Sequence, residues 1–423
     1  MYSPLGSLST PDKYKNLRIW LLCFIAVSPS LGTAVAAVGR LFLYLLALAY
    51  LVYRARDRAK SSPLAHAERL SAVILAVCAY MATTAMWSSV PMEAALFAWT
   101  RHARLVTIPI MYLLITRRTE GLTVLRAYTF AQIFVVLSAW LLVLGIHLPW
   151  AIGQNADDTY AVFGSYLEQS ITQSVLVAIL WFQRDILLGK RGRWIAITLA
   201  LVTLVLTLGF LRGRSGHMVA LGMLTLGGMY AISRKFRWSA LAIPFVTFAL
   251  VMAGSQNFRD RMMQVVSEVG AYSQTRVTDS SSGERLVYWS TSLQAIAEKP
   301  LLGHGAGSWN FEYRKLGGDQ LAPPTTDNPH QLFLLWAVEG GLVGVALLIS
   351  VLWSLLFFSK KLEAGDAQTL QALVLALVIS GMFNSMIFGI GIGDFFCIGF
   401  GIILSLHKKA APAASPTQHE YQA

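Results

Sequence analysis

Apolar runs separated by short polar breaks recur along most of the chain, and about 20 such residues are what a helix needs to cross a bilayer. They predict spans near 19–38, 41–53, 70–89, 103–116, 127–146 and 161–183. Further spans are expected near 194–211, 217–232, 238–254, 330–358, 367–387 and 390–406. The runs are unbroken and do not alternate in ten-residue strands, so helices are expected and a barrel is not. The pattern gives an all-α membrane protein of about twelve transmembrane helices, the second and eighth short.

One long polar insertion, from about Ser255 to Pro329, interrupts the array. Its apolar residues fall at helical spacing, first at Met262, Val265, Val266 and Val269, then at Leu286, Trp289, Leu293 and Ile296. Ser281 and Glu284 stand three apart before the second stripe, the spacing of a capping box. Lys299–Pro300 and the glycines of LLGHGAGSW end that helix. Two short amphipathic helices lying over the bundle are expected. The chain thus divides into 1–254 with the first nine spans, the insertion 255–329, and 330–408 with the last three spans. The tail 409–423, rich in Ala and Pro, is expected to be disordered.

Charge supplies orientation. Lys and Arg are retained in short cytoplasmic loops, and every second loop is basic: Lys13/Lys15/Arg18, Arg54/Arg56/Arg58/Lys60, Arg117/Arg118, Lys190/Arg191/Arg193, Arg234/Lys235/Arg237, Lys360/Lys361 and Lys408/Lys409. Both ends are then cytoplasmic and the insertion lies on the opposite side. The first span is expected to serve as an uncleaved signal, since no small-residue cleavage site follows it. The net charge of +12 follows from topology, and no basic groove with interleaved aromatics suggests nucleic acid. Only 13% of residues are charged against 55% hydrophobic, which excludes an ordinary soluble domain. Cys23, Cys78 and Cys397 sit far apart inside apolar runs, as small core residues and not as a disulfide or metal framework.

The informative charges are the arginines on the non-cytoplasmic side. GFLRGRSGHM places Arg212 and Arg214 in a tight turn between two spans. Charges at that depth meet an anion in a protein-lined cavity or snorkel to lipid phosphates. Arg285, in SSGERLVYW, opens the second amphipathic helix, either as a phosphate ligand or as a solvated charge. Arg101 and Arg104, in WTRHARL, share a helix face and either extend the anion site or anchor the interface.

His330 stands where the polar insertion meets a long apolar run, as a general base or as an interfacial histidine at a helix start. Glu339, nine positions on, is half a turn out of phase with it and is expected to pair with a neighbouring helix, with Gly340 and Gly341 permitting close approach. His102, His217 and His304 are expected to satisfy local hydrogen bonds. Asp157 and Asp158 are an acidic pair in a short loop, and Glu168 and Asp394 are possible internal polar partners or a proton path. There is no Walker loop, HExxH, Cys/His cluster or G-x-S-x-G.

In order and spacing these motifs resemble the O-antigen ligase superfamily, which also holds O-antigen polymerases and some protein O-oligosaccharyltransferases. The resemblance is carried by R-S-G at Arg214–Gly216, Arg285 inside the insertion, P-L-L-G-x-G at Pro300–Gly305, His330 opening the next span and E-G at Glu339–Gly340. It covers roughly 195–345 by motif and the rest by topology. It implies a GT-C type glycosyltransferase at the periplasmic face of the bacterial inner membrane. Such an enzyme moves polysaccharide from undecaprenyl diphosphate to the lipid A-core oligosaccharide by inverting transfer, without nucleotide sugar, ATP, metal or other cofactor. His330 would take the catalytic histidine's place, and Arg214 and Arg285 those of the diphosphate-contacting arginines. Arg212, Arg101 and Arg104 would extend the substrate site. Gln331 stands where Asn or Ser often follows the histidine and would still hydrogen-bond sugar hydroxyls.

A polymerase would use a second lipid-linked chain as acceptor, and a protein glycosyltransferase would use serine or threonine. A lipid-linked saccharide transporter would need polar residues running across the bundle, whereas here the unexplained charges cluster near one face. The absence of an evident internal repeat also weakens that alternative.

Overall fold

The computed structural model describes residues 12–56, 67–275, 280–323 and 326–408. Arg58, Lys60, Lys409 and the tail 409–423 lie outside them. Helix is the only regular secondary structure among the described residues. Leaving aside single turns, the first helices are α1 (Asp12–Val27), α2 (Thr33–Arg56), α3 (Ala67–Thr83), α4 (Met92–His102), α5 (Thr107–Leu114) and α6 (Arg118–Val143). Next come α7 (Tyr166–Phe182), α8 (Arg193–Gly209), α9 (Arg214–Ala231) and α10 (Ile243–Gly254). The insertion forms α11 (Gln256–Thr275), α12 (Ser281–Glu298) and α13 (Trp309–Lys315), and the chain continues with α14 (Leu332–Ser359), α15 (Ala364–Gly381) and α16 (Ile390–Ser405).

Seven helical stretches among the described residues are long and apolar enough to cross a membrane by length and composition. The protein is an all-helical membrane protein. The first expected boundary is displaced: the break falls at Ser28–Gly32 and not between 38 and 41, because Pro29 and Gly32, at φ +100°, interrupt the helix. Gly39, inside the apolar run, instead brings α2 against Ser28, whose Oγ lies 2.0 Å from where a Cβ would stand.

Close packing of α7 on α9 explains the R-S-G motif. Ser174 Oγ donates to the Gly216 carbonyl at 2.9 Å, and a Cβ on Gly216 would fall 2.2 Å from Ser170 Oγ. Small residues let the two backbones approach, which fixes Arg214 at the first position of α9.

Both expected helices of the insertion form, with two corrections. The cap of α12 is Ser280, one residue earlier than the predicted Ser281, its Oγ accepting from Gly283 N at 3.2 Å. The buried face carries Val287, Tyr288, Thr291, Ser292 and Ala295, whereas Leu293 of the predicted stripe is exposed. Periodicity identified an apolar stripe but not what it faces.

Glu339 and Gly341 join the insertion to the bundle. Gly341 breaks α14 at φ +64°, ψ −166°, a conformation open only to glycine. The groups released by the break are paired by the P-L-L-G-x-G segment: His304 N and Gly305 N donate to the carbonyls of Val338 and Glu339 at 2.7 and 2.9 Å. Leu342 N and Val343 N donate to those of Pro300 and Leu301 at 2.8 and 3.3 Å, and Tyr80 Oη donates to the Gly340 carbonyl at 2.7 Å. A backbone break at membrane depth is tolerated where protein satisfies it. The two motifs, one expected only to end a helix, are halves of one joint.

Candidate functional site

Helix α12 carries Arg285 and, one turn on, Tyr288 and Trp289, and holds the chain that leads into α14. Tyr288 Oη donates to the Pro323 carbonyl at 3.1 Å, and Trp289 Nε1 donates to the Pro329 carbonyl at 3.0 Å. His330 follows at φ +50°, a left-handed conformation uncommon for a side-chain-bearing residue, with its N–H donating to Asn328 Oδ1 at 3.0 Å. Backbone strain of this kind persists only where surroundings over-determine it. The imidazole lies 6.3 Å, centroid to centroid, from the Tyr288 ring.

His330 and Arg285 line one cavity of about 690 Å³, together with Arg101 and Arg104. Burial foremost, then the Arg285 guanidinium, lowers the His330 pKa from 6.5 to about 4, with Asp327 opposing. The ring is therefore neutral near pH 7 and holds a free lone pair. Among the described residues neither of its nitrogens has a hydrogen-bond partner.

A second, apolar groove of about 230 Å³ runs alongside, lined by Met262, Val265 and Val269 of α11 and by Leu286 and Trp289 of α12. Five residues of the predicted stripes thus line one groove, whereas Val266 and Leu293 are exposed. Arg214 and Arg285 both line this groove, and Arg285 lines the polar cavity as well. Arg214 is held by Ser282 Oγ at 2.6 Å and Glu268 Oε2 at 3.5 Å. Burial raises the Glu268 pKa, but the Ser282 hydroxyl and Arg214 outweigh it and leave the carboxyl below its ordinary value. Burial first, then repulsion by Arg214, lowers the pKa of Arg285, and among the described residues no carboxylate forms an ion pair with it. Two guanidinium groups close enough to repel, only one with a counter-ion, suit a multiply charged anion.

The other expected site residues divide. Arg101 lines the polar cavity, ion-paired with Asp327 and stacked 4.3 Å over Phe388. Arg104 also lines it but is buried, its Nε 3.2 Å from Asp394 and its Nη1 donating to the carbonyls of Ile387 and Gly389. Arg212 is exposed and lines neither space. Gln331 caps α14, its Oε1 accepting from Leu334 N, and does not line the polar cavity. Asp157 is exposed and lies 3.5 Å from His147.

Internal partners are found for Glu339, Asp394 and the histidines, whereas the Glu168 carboxylate has none among the described residues. Glu339 Oε2 meets His102 Nε2 of α4 at 2.5 Å with both side chains buried. His217 Nε2 faces the Leu211 carbonyl at 3.0 Å, and His304 Nε2 that of Ala295 at 2.8 Å. Asp394 also meets Arg40 at 3.5 Å.

Arg40, on the cavity wall, escaped the sequence analysis, although it is the basic residue of an otherwise apolar run and belongs to no basic loop. Glu298, His304 and Glu312 were also missed as a group: their ligand atoms lie within 4.8 Å of one another. Lys315 Nζ bonds both of those carboxylates, at 2.9 and 3.1 Å.

Residues 187–349 match the family model described as O-antigen ligase. That segment runs from α8 through the insertion to the first half of α14 and contains Arg214, Arg285 and His330. An uncharacterised protein of Haemophilus influenzae is 26% identical over 212 residues, which are 49% of this chain and 53% of that protein. The chain thus spans about half the length of that relative. Residues 187–349 are thus similar to the O-antigen ligase family, whose members are membrane glycosyltransferase-like enzymes.

Proposed function

We propose that this protein is an O-antigen ligase. It moves polysaccharide from undecaprenyl diphosphate to the lipid A-core oligosaccharide at the periplasmic face of the bacterial inner membrane. In this reading twelve crossings leave both ends cytoplasmic, and the insertion 255–329 is periplasmic. The observation that carries the reading is Arg285, shared between an apolar groove and the polar cavity that holds His330. A donor with a polyprenyl tail, a diphosphate and a sugar needs those surroundings in that order.

The acceptor hydroxyl oxygen attacks the anomeric carbon as the bond from that carbon to the diphosphate oxygen breaks, with inversion. The hydroxyl proton passes to the free His330 nitrogen, and the departing lipid diphosphate keeps the bond electrons, stabilised by Arg214 and Arg285. Positive groups already fixed around the leaving group supply what a divalent cation would otherwise provide.

The test is reconstitution of the purified protein with lipid-linked glycan and lipid A-core, with and without chelator, reading transfer on a gel. Transfer that persists in chelator and is lost in His330→Ala supports the reading. Transfer only between two lipid-linked glycans would make the protein a polymerase, and flipping in liposomes without a transfer product would make it a transporter.

A further inference from the structure

The polar cavity holds a carboxylate that transfer chemistry at His330 does not use. Glu168 stands three residues after Ser165, the N-cap of α7, in the spacing of a capping box. Half of that box forms: Ser165 Oγ accepts from Glu168 N at 3.2 Å. The reciprocal bond, from the Ser165 N–H to the Glu168 carboxylate, is not made, and the carboxylate lines the cavity instead.

Among the described residues this carboxylate has neither a hydrogen bond nor an ion pair. Arg104 acts on it at longer range, but its own bonds go to Asp394 and the carbonyls of Ile387 and Gly389. Three glycines border the carboxylate. A Cβ on Gly164, Gly389 or Gly391 would stand 3.6, 3.4 or 3.7 Å from its oxygens. A small side cavity of about 40 Å³, also lined by Glu168, adjoins it.

A second residue lining the cavity also has an unpartnered group. Ser385 is 7% exposed, and its buried Oγ has no hydrogen-bond partner among the described residues. A buried polar atom left unpaired costs free energy, and a ligand reaching it would remove that cost.

A carboxylate repels a diphosphate, so Glu168 does not serve the donor's charged end. An ionised carboxylate accepts hydrogen bonds and donates none, while a serine hydroxyl both donates and accepts. Together they offer the hydrogen-bonding functions that sugar hydroxyls pair with. We propose that Glu168 and Ser385 form a polyol subsite that binds the acceptor sugar and orients its attacking hydroxyl toward His330. This rests on the transfer reading above.

Steady-state transfer by the purified full chain tests it, with undecaprenyl diphosphate-linked glycan as donor and either lipid A-core or a second lipid-linked glycan as acceptor. In Glu168→Gln the acceptor KM is expected to rise about 10- to 100-fold, the range for a hydrogen bond to a charged group, with the donor KM unchanged. Ser385→Ala should give a smaller rise of the same kind. The acceptor whose KM moves identifies the sugar that uses the subsite. An unchanged acceptor KM, or equal changes for donor and acceptor, overturns the proposal, as does a loss of rate that only follows a lowered melting temperature.

Failure of the unsubstituted protein to transfer would strike the transfer reading and not this subsite. Fluorescence-detected binding of lipid A-core to wild type and Glu168→Gln then decides the subsite. Weaker binding by the variant supports it, whereas equal binding, or none by wild type, overturns it.

Discussion

Trp289 donates its indole N–H to the carbonyl of Pro329 at 3.0 Å, one turn along α12 from Arg285 and one residue before His330. The helix that presents the guanidinium therefore also sets the backbone that presents the imidazole. Their relative placement depends on this bond and on the constrained φ of His330. Trp289→Phe keeps an aromatic ring in the apolar groove and removes the bond. Loss of about 0.5–1.5 kcal/mol of stability is expected, with a fall in kcat of ~10-fold from misplacement. Thermal unfolding and transfer assays on one preparation separate the two effects.

Arg285→Lys keeps a charge but loses the planar fork, so transfer should fall toward the level of Arg285→Ala, on the order of 100-fold below wild type. Arg214→Ala should give a loss of the same order. It should also leave Glu268 without its cation, so that its carboxyl titrates at higher pH, since Arg214 is among the groups holding it down. Single-turnover rates with donor saturating would show whether the loss lies in chemistry. Undiminished rates in Arg285→Lys would remove the bidentate role.

Burial, foremost, and Arg285 place the His330 pKa at about 4 in the folded protein, against about 6.5 for an exposed histidine. Between those values the unfolded chain binds a proton that the folded chain does not. Stability from this group is therefore intact above pH 6.5, declines as pH falls toward 4, and levels off below. His330→Gln should flatten that part of the curve, as measured by melting temperature in detergent at pH 5 and pH 7. The transfer rate should show no acid limb from this residue until pH approaches 4. A wild-type rate that halves near pH 6.5 and loses that dependence in His330→Gln would contradict the assignment.

Gly341→Ala would place a Cβ 2.2 Å from the Leu301 carbonyl oxygen in a backbone region closed to side chains. Destabilisation of about 2–4 kcal/mol is expected from strain and overlap together. Gly303→Ala, whose Cβ would lie 2.5 Å from Gly341 N, should act on the same joint. The two losses should not add, because the first substitution already breaks the contact. Chemical denaturation of the single and double variants tests this.

Helices were legible in the sequence because apolar runs and turn residues are local signals, and Arg214, Arg285 and His330 because their motifs stand in a recognisable order. Arg40 was not, since one charge in an apolar run gives no sign of the Asp394 it meets across the bundle at 3.5 Å. Glu168 reads from the sequence as an internal polar group, but the two cavities that it lines are walled in part by Gly389 and Gly391, more than two hundred residues away in the chain. The stripe of Leu286 and Trp289 was legible as a helix face but not as a groove wall, because an apolar face that lines a groove has the same periodicity as one that fills a core. Pro300–Gly305 was read as a helix stop because its partners, the carbonyls freed at Gly341, exist only after α14 has broken.

That joint between 300–305 and α14 has a mechanical consequence. Swinging the roof of the site away from the bundle would strip the Val338 and Glu339 carbonyls of their partners, and in hydrocarbon no water would replace them. The roof is therefore riveted to α14 at that end.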